Sequence, residues 1–498
     1  MRIYFQTCLT YLNLYIYIRA PMLLIQLTHC TFCLGTQTML SDFSWSLKAG
    51  QQWLVAGPSG SGKSTFFKAL HGEFRLTGGR FLFKGAEDME AFQKLKQATG
   101  FVFFQDKAPD PNQFYYQQRY NSQDADDTLT VRDYLFDGKP MEDREQEGSL
   151  HMFHVEDQLD KELIKLSNGE NRKVRIIKAL LKNPEILVLD SPYTGLDKAS
   201  RLELNDLIDR LAGAGIHVLL TAPHGQVPVS MTHVLQLEQS KITYAGTRQS
   251  FNRPGNPAQK TKIQIPFRPP ENNDFDIAVR LNRVTIRYEE TLLLDRINLT
   301  IRRGEKWLLT GPNGAGKSLI ASLIYADHPQ SYLNDIILFD HARGRGESIW
   351  DIKDRIGFLS PEFHFYLDQE QTARQVAAGG LRDNPYAPKT LTPDTESLIK
   401  DLFRYYQMED FIDAPMYALS TGLQRLVLFI RVIVKNPAFL LLDEPFQHFD
   451  LGMIEKSKDL LDAFCEDRTL LFISHEDAEV PGIVRKGKKM ELSRGTAK

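Results

Sequence analysis

A chain of 498 residues is long enough for two or more globular domains. Its apolar content of 42% and charged content of 25% are ordinary for a folded protein, and its net charge of −3 provides no overall basic field for nucleic acid. The use of only four cysteines gives no indication of an oxidising compartment.

The first 21 residues are apolar and aromatic, but polar residues such as Gln6 and Asn13 interrupt them. The run is short for a membrane span, which needs about 20 apolar residues, and it lacks the cleavage site of a signal peptide. We therefore predict that residues 1–21 are a mis-assigned extension and that translation begins at Met22. N-terminal sequencing of the native protein tests this prediction. We expect no membrane span elsewhere, because no other apolar run approaches about 18 residues.

From residue 22 the predicted order is strand, strand, strand, glycine-rich loop and helix. The strands are predicted at Leu23–Leu27, Phe43–Leu47 and Trp53–Ala56, and the helix at Thr65–His71. The loop, residues 57–64, reads G-P-S-G-S-G-K-S and fits the phosphate-binding pattern G-x-x-x-x-G-K-[ST]. Glycines let successive backbone N–H groups surround a phosphate, the lysine reaches the outer phosphates, and the serine hydroxyl can bind Mg²⁺.

Cys30 and Cys33 in this first segment have the spacing of half a zinc site. The chain contains no second cysteine pair that would complete such a site. We therefore expect that these two cysteines are ordinary residues of a strand.

The second half of the chain repeats this arrangement. Predicted strands at Val284–Tyr288, Ile297–Ile301 and Trp307–Thr310 precede residues 311–318, which read G-P-N-G-A-G-K-S and lead into an apolar helix. The lysines of the two loops lie 254 residues apart, which is about half of the chain. An internal duplication explains this spacing.

Each half also contains a Leu-Ser-x-Gly turn before a predicted helix. The helices are expected at Asn171–Leu181 and Gln424–Val434, so that Ser167 and Ser420 lie near their N-termini. A helix N-terminus presents free N–H groups that can bind an anion, but an ordinary helix cap would look the same.

A buried strand that ends in an acid follows in each half. These strands, Ile186–Asp190 and Phe439–Glu444, are expected to deliver a carboxylate to the C-terminal edge of a parallel sheet. The distance along the chain from loop lysine to aspartate is 127 residues in one half and 126 in the other. The two sets are therefore predicted to be equivalent parts of a repeated domain.

The predicted domains occupy residues 22–250 and 276–498. Residues 251–275, rich in Pro, Asn, Gln and Lys, have no helical or strand period and are interpreted as an extended linker. Residues 106–127 are expected to form an inserted loop, whose tyrosine-rich segment 115–120 either packs on the surface or contacts a partner.

These ordered motifs resemble those of a tandem ATP-binding-cassette (ABC-type) ATPase over about residues 22–498. The resemblance implies an α/β fold with two P-loop NTPase domains, each with a core sheet flanked by helices, an antiparallel β layer and a helical subdomain. It implies ATP and Mg²⁺ as cofactors. It also implies intramolecular pairing of the two cassettes, so that the phosphate loop of one and the Leu-Ser-x-Gly turn of the other hold each ATP.

Segments 327–335 and 348–353 are similar to the twin-cassette proteins linked to molybdate transport. This similarity implies an ATP-hydrolysing subunit without membrane spans, cytoplasmic or peripheral at the inner face of the membrane, with a permease partner outside this chain and no direct binding of nucleic acid. The alternative is a soluble ATP-dependent regulator or clamp, such as a ribosome-associated one. Proteins of that kind usually have a long charged helical connector and a glutamate in both cassettes, which this chain lacks.

The resemblance assigns roles in the second cassette residue by residue. Asp443 matches the acid that binds Mg²⁺, and Glu444 matches the base that polarises the attacking water. His475 matches the switch histidine that contacts the γ-phosphate, while Tyr288 has the position of an aromatic that stacks on adenine. Asp450, like Asp197 in the first cassette, matches a loop residue that communicates between sites, although a helix cap is an equal alternative.

The first cassette departs from the family pattern. Ser191 follows the aspartate in place of the glutamate, and a hydroxyl accepts a proton poorly. The switch position is unclear where Pro223 precedes a histidine, and Leu34 or the next residue, Gly35, replaces the aromatic. Gln105 matches the glutamine that senses Mg²⁺, whereas residues 360–362 of the second half read S-P-E. We therefore expect one hydrolytic site and one site that binds ATP and turns over slowly.

The complete prediction for the sites names Glu444 and His475 as catalytic. The predicted metal ligands are Ser64, Asp190, Ser318 and Asp443. The predicted nucleotide-binding residues are Gly57, Pro58, Ser59, Gly60, Ser61, Gly62, Lys63, Ser64, Thr65, Gln105, Ser167, Gly169, Asp190, Tyr288, Gly311, Pro312, Asn313, Gly314, Ala315, Gly316, Lys317, Ser318, Leu319, Ser420, Gly422 and Asp443.

Overall fold

A computed structural model of the chain describes most of the two predicted domains. The extension at residues 1–21, the tyrosine-rich segment 115–120, Gln105 and Ser167 lie outside the described residues. The described residues are 22–104, 129–137, 158–163, 166, 168–194, 196, 198–222, 227–251, 265–270, 273–288, 291–346, 348–361, 363, 367–382, 388, 390–493 and 495–497.

The chain divides into two compact units. The first comprises Met1–Lys107, Thr128–Tyr193 and Leu202–Arg253, and the second comprises Ala108–Asp127, Thr194–Arg201 and Pro254–Lys498. The short segment Thr194–Arg201 therefore groups with the second unit, although it follows the first acid-bearing strand in sequence.

The first unit contains two sheets and their flanking helices. Its strands are β1 (Leu23–Leu34), β2 (Gln37–Lys48), β3 (Trp53–Ala56), β4 (Arg75–Phe83), β5 (Ala86–Glu87), β6 (Thr99–Phe103), β7 (Ile186–Asp190), β8 (His217–Thr221), β9 (His233–Glu238) and β10 (Lys241–Thr247). Its helices are α1 (Lys63–His71), α2 (Asp88–Ala98), α3 (Val131–Phe136), α4 (Asn168–Leu180) and, from Leu202 onwards, α5 (Lys198–Gly213). The antiparallel sheet has the order β2-β1-β4-β5, and the six-stranded sheet has the order β10-β9-β3-β8-β7-β6.

The second unit repeats both sheets. Its strands are β11 (Ile277–Tyr288), β12 (Thr291–Arg302), β13 (Lys306–Thr310), β14 (Asp335–Leu338), β15 (His341–Ala342), β16 (Ile356–Leu359), β17 (Phe439–Asp443), β18 (Thr469–Ile473), β19 (Lys488–Ser493) and β20 (Thr496–Ala497). Its helices are α6 (Lys317–Ile324), α7 (Ile349–Arg355), α8 (Ala373–Ala378), α9 (Pro393–Tyr405), α10 (Thr421–Lys435), α11 (Leu451–Phe464) and α12 (Gly482–Arg485). The sheet orders are β12-β11-β14-β15 and β16-β17-β18-β13-β19-β20.

The strand registers confirm the internal duplication. In the first unit β3 pairs in parallel with β8, with Trp53 opposite Leu219, and in the second unit β13 pairs with β18, with Trp307 opposite Leu471. The acid-bearing strands β7 and β17 are buried at every position, which explains their continuous apolar sequences. Each phosphate loop therefore follows a central strand of a largely parallel sheet.

The structure extends several predicted elements. The first hairpin strands, β1 and β2, are each 12 residues long, because exposed and buried side chains alternate beyond the short apolar cores that the sequence pattern detected. Helix α1 begins at Lys63, two residues before the predicted start, because Gly62 forms its N-cap with a left-handed φ of 96°. The loop lysine therefore lies in the first helical turn.

The two N-terminal cysteines lie in β1, as expected of strand residues. Cys30 is fully buried in the core beside Phe32, and its thiol contacts the backbone carbonyl of Arg80 at 3.2 Å. Among the residues that the structure describes, no cluster of His, Cys, Asp or Glu has the composition of a metal site.

Part of the predicted linker is anchored on the second unit. We call residues 265–270 the strap. The ring of Phe267 lies 4.9 Å from that of Phe464, and Arg468, which is only 3% exposed, donates to the carbonyl of Arg268 at 2.5 Å. Asn436 donates to the carbonyl of Pro269 at 3.0 Å. The strap thus has no helix or strand of its own but shares the core of this unit.

Replacing Phe267 with alanine is expected to destabilise the second unit by about 1–2 kcal/mol, because a half-buried aromatic contact is lost. Calorimetric unfolding of the full chain would show this as a lower melting temperature for one transition. Phe411→Ala is the matched control, because Phe411 lies in the same unit and is 41% exposed. Equal melting curves for the two variants would contradict the anchoring role of the strap.

Candidate functional site

The first phosphate loop connects β3 to α1 through glycines with left-handed backbone. Gly57 has a φ of 144°, and a Cβ atom there would lie 2.2 Å from the carbonyl oxygen of Leu237. Only glycine therefore fits that position. The Nζ atom of Lys63 donates to the carbonyls of Gly57 at 2.8 Å and Pro58 at 2.7 Å, which holds the ammonium group at the mouth of the loop.

The second phosphate loop has the same construction between β13 and α6. Gly311 has a φ of 150°, and a Cβ atom there would lie 2.5 Å from the carbonyl oxygen of Leu492. Lys317, 6% exposed, donates to the carbonyls of Gly311 at 2.8 Å and Pro312 at 3.0 Å. Both loops thus combine a lysine ammonium with the N-terminus of a helix, an arrangement that suits the phosphates of a nucleotide.

The other predicted loop residues lie in these two turns or in the first turn of the helix that follows. Leu319 is buried in the core, whereas Ser318 is exposed beside the loop. The residues so placed are Pro58, Ser59, Gly60, Ser61, Gly62, Ser64, Thr65, Pro312, Asn313, Gly314, Ala315, Gly316, Ser318 and Leu319.

The two predicted metal-binding aspartates end the buried strands β7 and β17. Asp190 and Asp443 are each 2% exposed. Asp190 accepts hydrogen bonds from the hydroxyls of Ser64 and, at 3.0 Å, Thr221. Burial raises the pKa of Asp190 despite these bonds. A carboxylate beside hydroxyl groups is the oxygen-rich environment that Mg²⁺ prefers, so Asp190 and Ser64 fit that ion. Asp443 has the equivalent place at the end of β17.

The two predicted catalytic side chains of the second unit contact each other. Glu444 directly follows β17 and His475 lies just beyond β18, and Oε1 of the glutamate is 2.9 Å from Nδ1 of the histidine. Both side chains are largely buried, with exposed fractions of 16% and 10%. The other ring nitrogen, Nε2, lies 3.0 Å from the carbonyl oxygen of Leu196, so both ring nitrogens face acceptors.

The charges around this pair set its protonation. Burial alone would raise the pKa of Glu444, but the hydrogen bond and charge of His475, with the charges of Lys317 and Arg425, lower it below its ordinary value. Burial alone would lower the pKa of His475, but Glu444 raises it. The contact between the two side chains thus favours the ionised form of both, and an ionised Glu444 carboxylate can accept a hydrogen bond from water.

His475→Asn is expected to destabilise the chain most between about pH 4.3 and 6.5. Because the pKa of His475 is higher in the folded chain, its protonated form stabilises the fold at pH values below the unfolded pKa. This stabilisation is lost as the pH rises through the folded pKa. Because the pKa of Glu444 is lower in the folded chain, its ionised carboxylate stabilises the fold at pH values above the unfolded pKa. This stabilisation is lost as the pH falls through the folded pKa. Melting temperatures across pH measure the effect.

His328→Asn is the control for this prediction. Burial lowers the pKa of His328, so the folded chain resists protonation of this imidazole. His328 should therefore destabilise the fold as the pH falls below about 6.5. Its removal should therefore help at acidic pH, which is the opposite trend. A destabilisation by His475→Asn that does not change with pH would show that the charged pair is not formed.

Two further ionisable groups adjoin the site, and no motif in the sequence pointed to them. Arg425, in α10, is 2% exposed, and burial lowers its pKa to about 10 although Glu444, Asp443 and Glu479 oppose this. Burial, together with the charge of Glu476, raises the pKa of Glu479 to about 7. A buried arginine at this place in a helix gave no periodic or motif signal, because it breaks an otherwise apolar face.

The first unit has no equivalent of the Glu444–His475 pair among its described residues. Ser191 replaces the glutamate, and its hydroxyl lies 3.3 Å from Asp190. The registers of β8 and β18 align Thr221 with Ile473. Pro223 and the histidine after it, where the switch position was unclear, lie outside the described residues. Thr221, whose hydroxyl accepts from the N–H of Ser191 at 2.5 Å, belongs to no motif and was not predicted as a site residue.

The Leu-Ser-x-Gly turn of the second unit begins α10. Ser420 is the N-cap, but its hydroxyl makes no capping bond, is buried and has no partner in the described part of the chain. Gly422 is buried in the first helical turn, and Gly169 has the corresponding place in α4. The hydroxyl of Ser420 therefore does not act as the helix cap that the alternative interpretation of this turn expects.

Two other predicted positions are resolved by the strands and helices. Tyr288 ends β11 opposite Thr291, and Leu34 ends β1 opposite Gln37, which confirms that the first unit has leucine at the position of the aromatic. Asp450 caps α11 by accepting from the N–H of Met453 at 2.8 Å. The capping alternative for Asp450 is thus confirmed.

Both halves of the chain match the same family of known proteins. A family described as ABC transporter matches residues 40–194 and 294–447. An uncharacterized ABC transporter ATP-binding protein of Schizosaccharomyces pombe is 30% identical over 93% of this chain and 96% of its own length. The ABC transporter ATP-binding protein ModF of Escherichia coli is 30% identical over 92% of this chain and 95% of its own length.

A solved structure of an ATP-binding cassette of an ABC transporter aligns with 45% of this chain and 92% of its own, at 20% identity and a TM-score of 0.38. Within the described residues, no helix has the length and apolar content needed to cross a membrane.

Proposed function

Because the chain belongs to the ABC transporter family and carries two ATP-binding cassettes in tandem, we propose that it is an ATPase whose two sites are unequal. The second cassette hydrolyses ATP, and the first binds ATP and turns over slowly. The proposed cassettes span residues 22–250 and 276–498.

The contact between Glu444 and His475 carries this proposal. A carboxylate with a lowered pKa, 2.9 Å from the imidazole of His475 and just after a buried aspartate, suits the polarisation of an attacking water. In the first cassette, the hydroxyl of Ser191 bonds to Asp190 instead. A hydroxyl provides neither negative charge nor a good proton acceptor at neutral pH.

The residues of the second cassette divide the work of phosphoryl transfer. Lys317 and the N–H groups of its loop bind the phosphates, Asp443 and Ser318 would hold Mg²⁺, and Glu444 orients the water. Bound Mg²⁺ supplies charge neutralisation for the phosphate oxygens. His475 keeps Glu444 ionised and oriented through their hydrogen bond. Catalysis then depends on positioning and electrostatics, as this reaction requires.

The family resemblance supports intramolecular pairing of the two cassettes. In that arrangement Ser167 and Gly169 complete the site of Lys317, and Ser420 and Gly422 complete the site of Lys63. The buried, unpartnered hydroxyl of Ser420 is consistent with a nucleotide contact of this kind.

The proposed task is to drive a partner permease, for molybdate or a related oxyanion, from the cytoplasmic side of a membrane. Similarity over 92% of the chain to ModF, an ABC transporter ATP-binding protein, supports a task in transport. The choice of oxyanion rests on the resemblance of segments 327–335 and 348–353 to the proteins linked to molybdate transport. The alternative, a regulator or clamp such as a ribosome-associated one, uses the same ATPase cycle without a permease.

The test is steady-state ATP turnover of the purified full chain, followed by affinity purification from detergent-solubilised membranes and by ribosome co-sedimentation. We expect Mg²⁺-dependent turnover and recovery of an integral membrane protein that is lost without ATP. Co-sedimentation with ribosomes in place of a membrane partner would overturn the transport proposal and support the regulator. Absence of turnover both alone and with membranes would overturn the ATPase proposal.

A further inference from the structure

Arg425 connects three segments of the second unit through one buried guanidinium. It lies in the second turn of α10, the helix that begins directly after Ser420. Its Nη2 atom donates to the backbone carbonyl of Glu444 and its Nη1 atom to that of Pro361, both at 3.2 Å. Pro361 follows β16, next to the position that matches the Mg²⁺-sensing residue of the first half.

The backbone at Glu444 needs such support. Its φ of 44° is left-handed, a conformation that non-glycine residues rarely adopt without fixed neighbours. The N–H group of Glu444 donates to the carbonyl of Ile473 at 2.9 Å, and the carbonyl accepts from Arg425. Both polar groups of this residue's backbone are therefore held, and the turn directs the carboxylate towards His475.

The first unit contains the same bond without the carboxylate. Arg172, which is 253 residues before Arg425 in the sequence, donates through Nη1 to the carbonyl of Ser191 at 3.2 Å. Ser191 also has a left-handed φ, of 58°. Since serine carries no charge, an ion pair with this side chain does not explain the bond. In both units the arginine instead donates a hydrogen bond to the carbonyl of the residue with the left-handed φ.

We propose that Arg425 is a positioning residue for ATP hydrolysis, which couples the start of α10 to the turn at Glu444 and to the segment ending at Pro361. The inference rests on the proposed role of Glu444. Two terminal nitrogens in one rigid plane are needed to reach two carbonyls at once, and a lysine ammonium cannot reproduce this fork. Any movement of α10 is thereby transmitted to the carboxylate that polarises water.

The test compares Arg425→Lys and Arg425→Gln with Arg468→Lys in the full chain. Arg468 is the matched control, because it is equally buried, at 3% exposed, and also bonds to backbone carbonyls, but it supports the strap. We expect both Arg425 variants to lower kcat by about 10- to 100-fold while KM for ATP changes by less than about threefold. Arg468→Lys should leave both constants near wild type.

Hydrogen–deuterium exchange without nucleotide provides a second measurement that does not depend on turnover. Exchange at Glu444 and in residues 358–361 should be faster in the Arg425 variants and unchanged in Arg468→Lys. Equal exchange, or an equal fall of kcat in the control, would overturn the positioning role. If the wild type itself does not hydrolyse ATP, the proposed function fails, and the exchange comparison still decides whether Arg425 holds the turn.

Discussion

Replacing Glu444 with glutamine is expected to reduce steady-state ATP turnover by about 10²- to 10⁴-fold. Glutamine keeps the size of the side chain but removes the negative charge that orients and deprotonates the attacking water. MgATP should still bind, because the phosphate loop and Asp443 are unchanged. Turnover and equilibrium binding of a fluorescent ATP analogue, measured on the same preparation, separate these two effects.

Glu305→Gln provides the control for the loss of one carboxylate. Glu305 also accepts hydrogen bonds, from Lys488 at 2.6 Å and from the indole of Trp307 at 2.9 Å, but it lies at the start of β13, away from the loop. We expect this variant to hydrolyse ATP at nearly the wild-type rate. Unchanged turnover in Glu444→Gln would refute the assignment of the hydrolytic site to the second cassette.

Lys317→Ala is expected to reduce kcat/KM by at least about 10²-fold, because a buried cation is lost from the phosphate site. Lys63→Ala should have a smaller effect, a loss of about tenfold or less, since the first site binds ATP and contributes to turnover indirectly. ATPase kinetics of the two variants, measured side by side, test the asymmetry. Equal losses would mean that the two sites hydrolyse equally.

The control for the lysine variants is Lys306→Ala. Lys306 lies in β13, the strand that precedes the second phosphate loop. Its Nζ atom likewise donates to two backbone carbonyls, of Gly304 and Glu466, each at 2.8 Å. Its loss should change stability without changing kcat/KM. A similar fall in activity would indicate that Lys317→Ala acts through general destabilisation.

The repeated architecture was predictable because its signals are local. A glycine-rich loop must follow a strand and open a helix, and a buried parallel strand must be apolar throughout, so β3, β7 and β17 were placed within a residue of their true ends. The antiparallel strands were underestimated, because the amphipathic half of β1 does not differ from a loop in overall hydropathy.

The residues that shape the site were harder to predict, because they act through the backbone or across strands. Thr221 bonds to Asp190 from a neighbouring strand 31 positions away, a contact that requires the register of β7 and β8. Arg425 bonds to two carbonyls, and carbonyls have no sequence signature. The left-handed turn at Glu444 is likewise invisible in a residue type that rarely adopts it.

The strap determines where a fragment that contains the second unit must begin. A fragment cut at residue 276 would look complete by composition, yet it would leave the ring of Phe464 and the guanidinium of Arg468 without the segment that covers them. A fragment beginning before Ile265 would keep these contacts within one folding unit. A gene segment that encodes the complete second unit therefore includes part of the linker. The boundary between the two units lies before the strap.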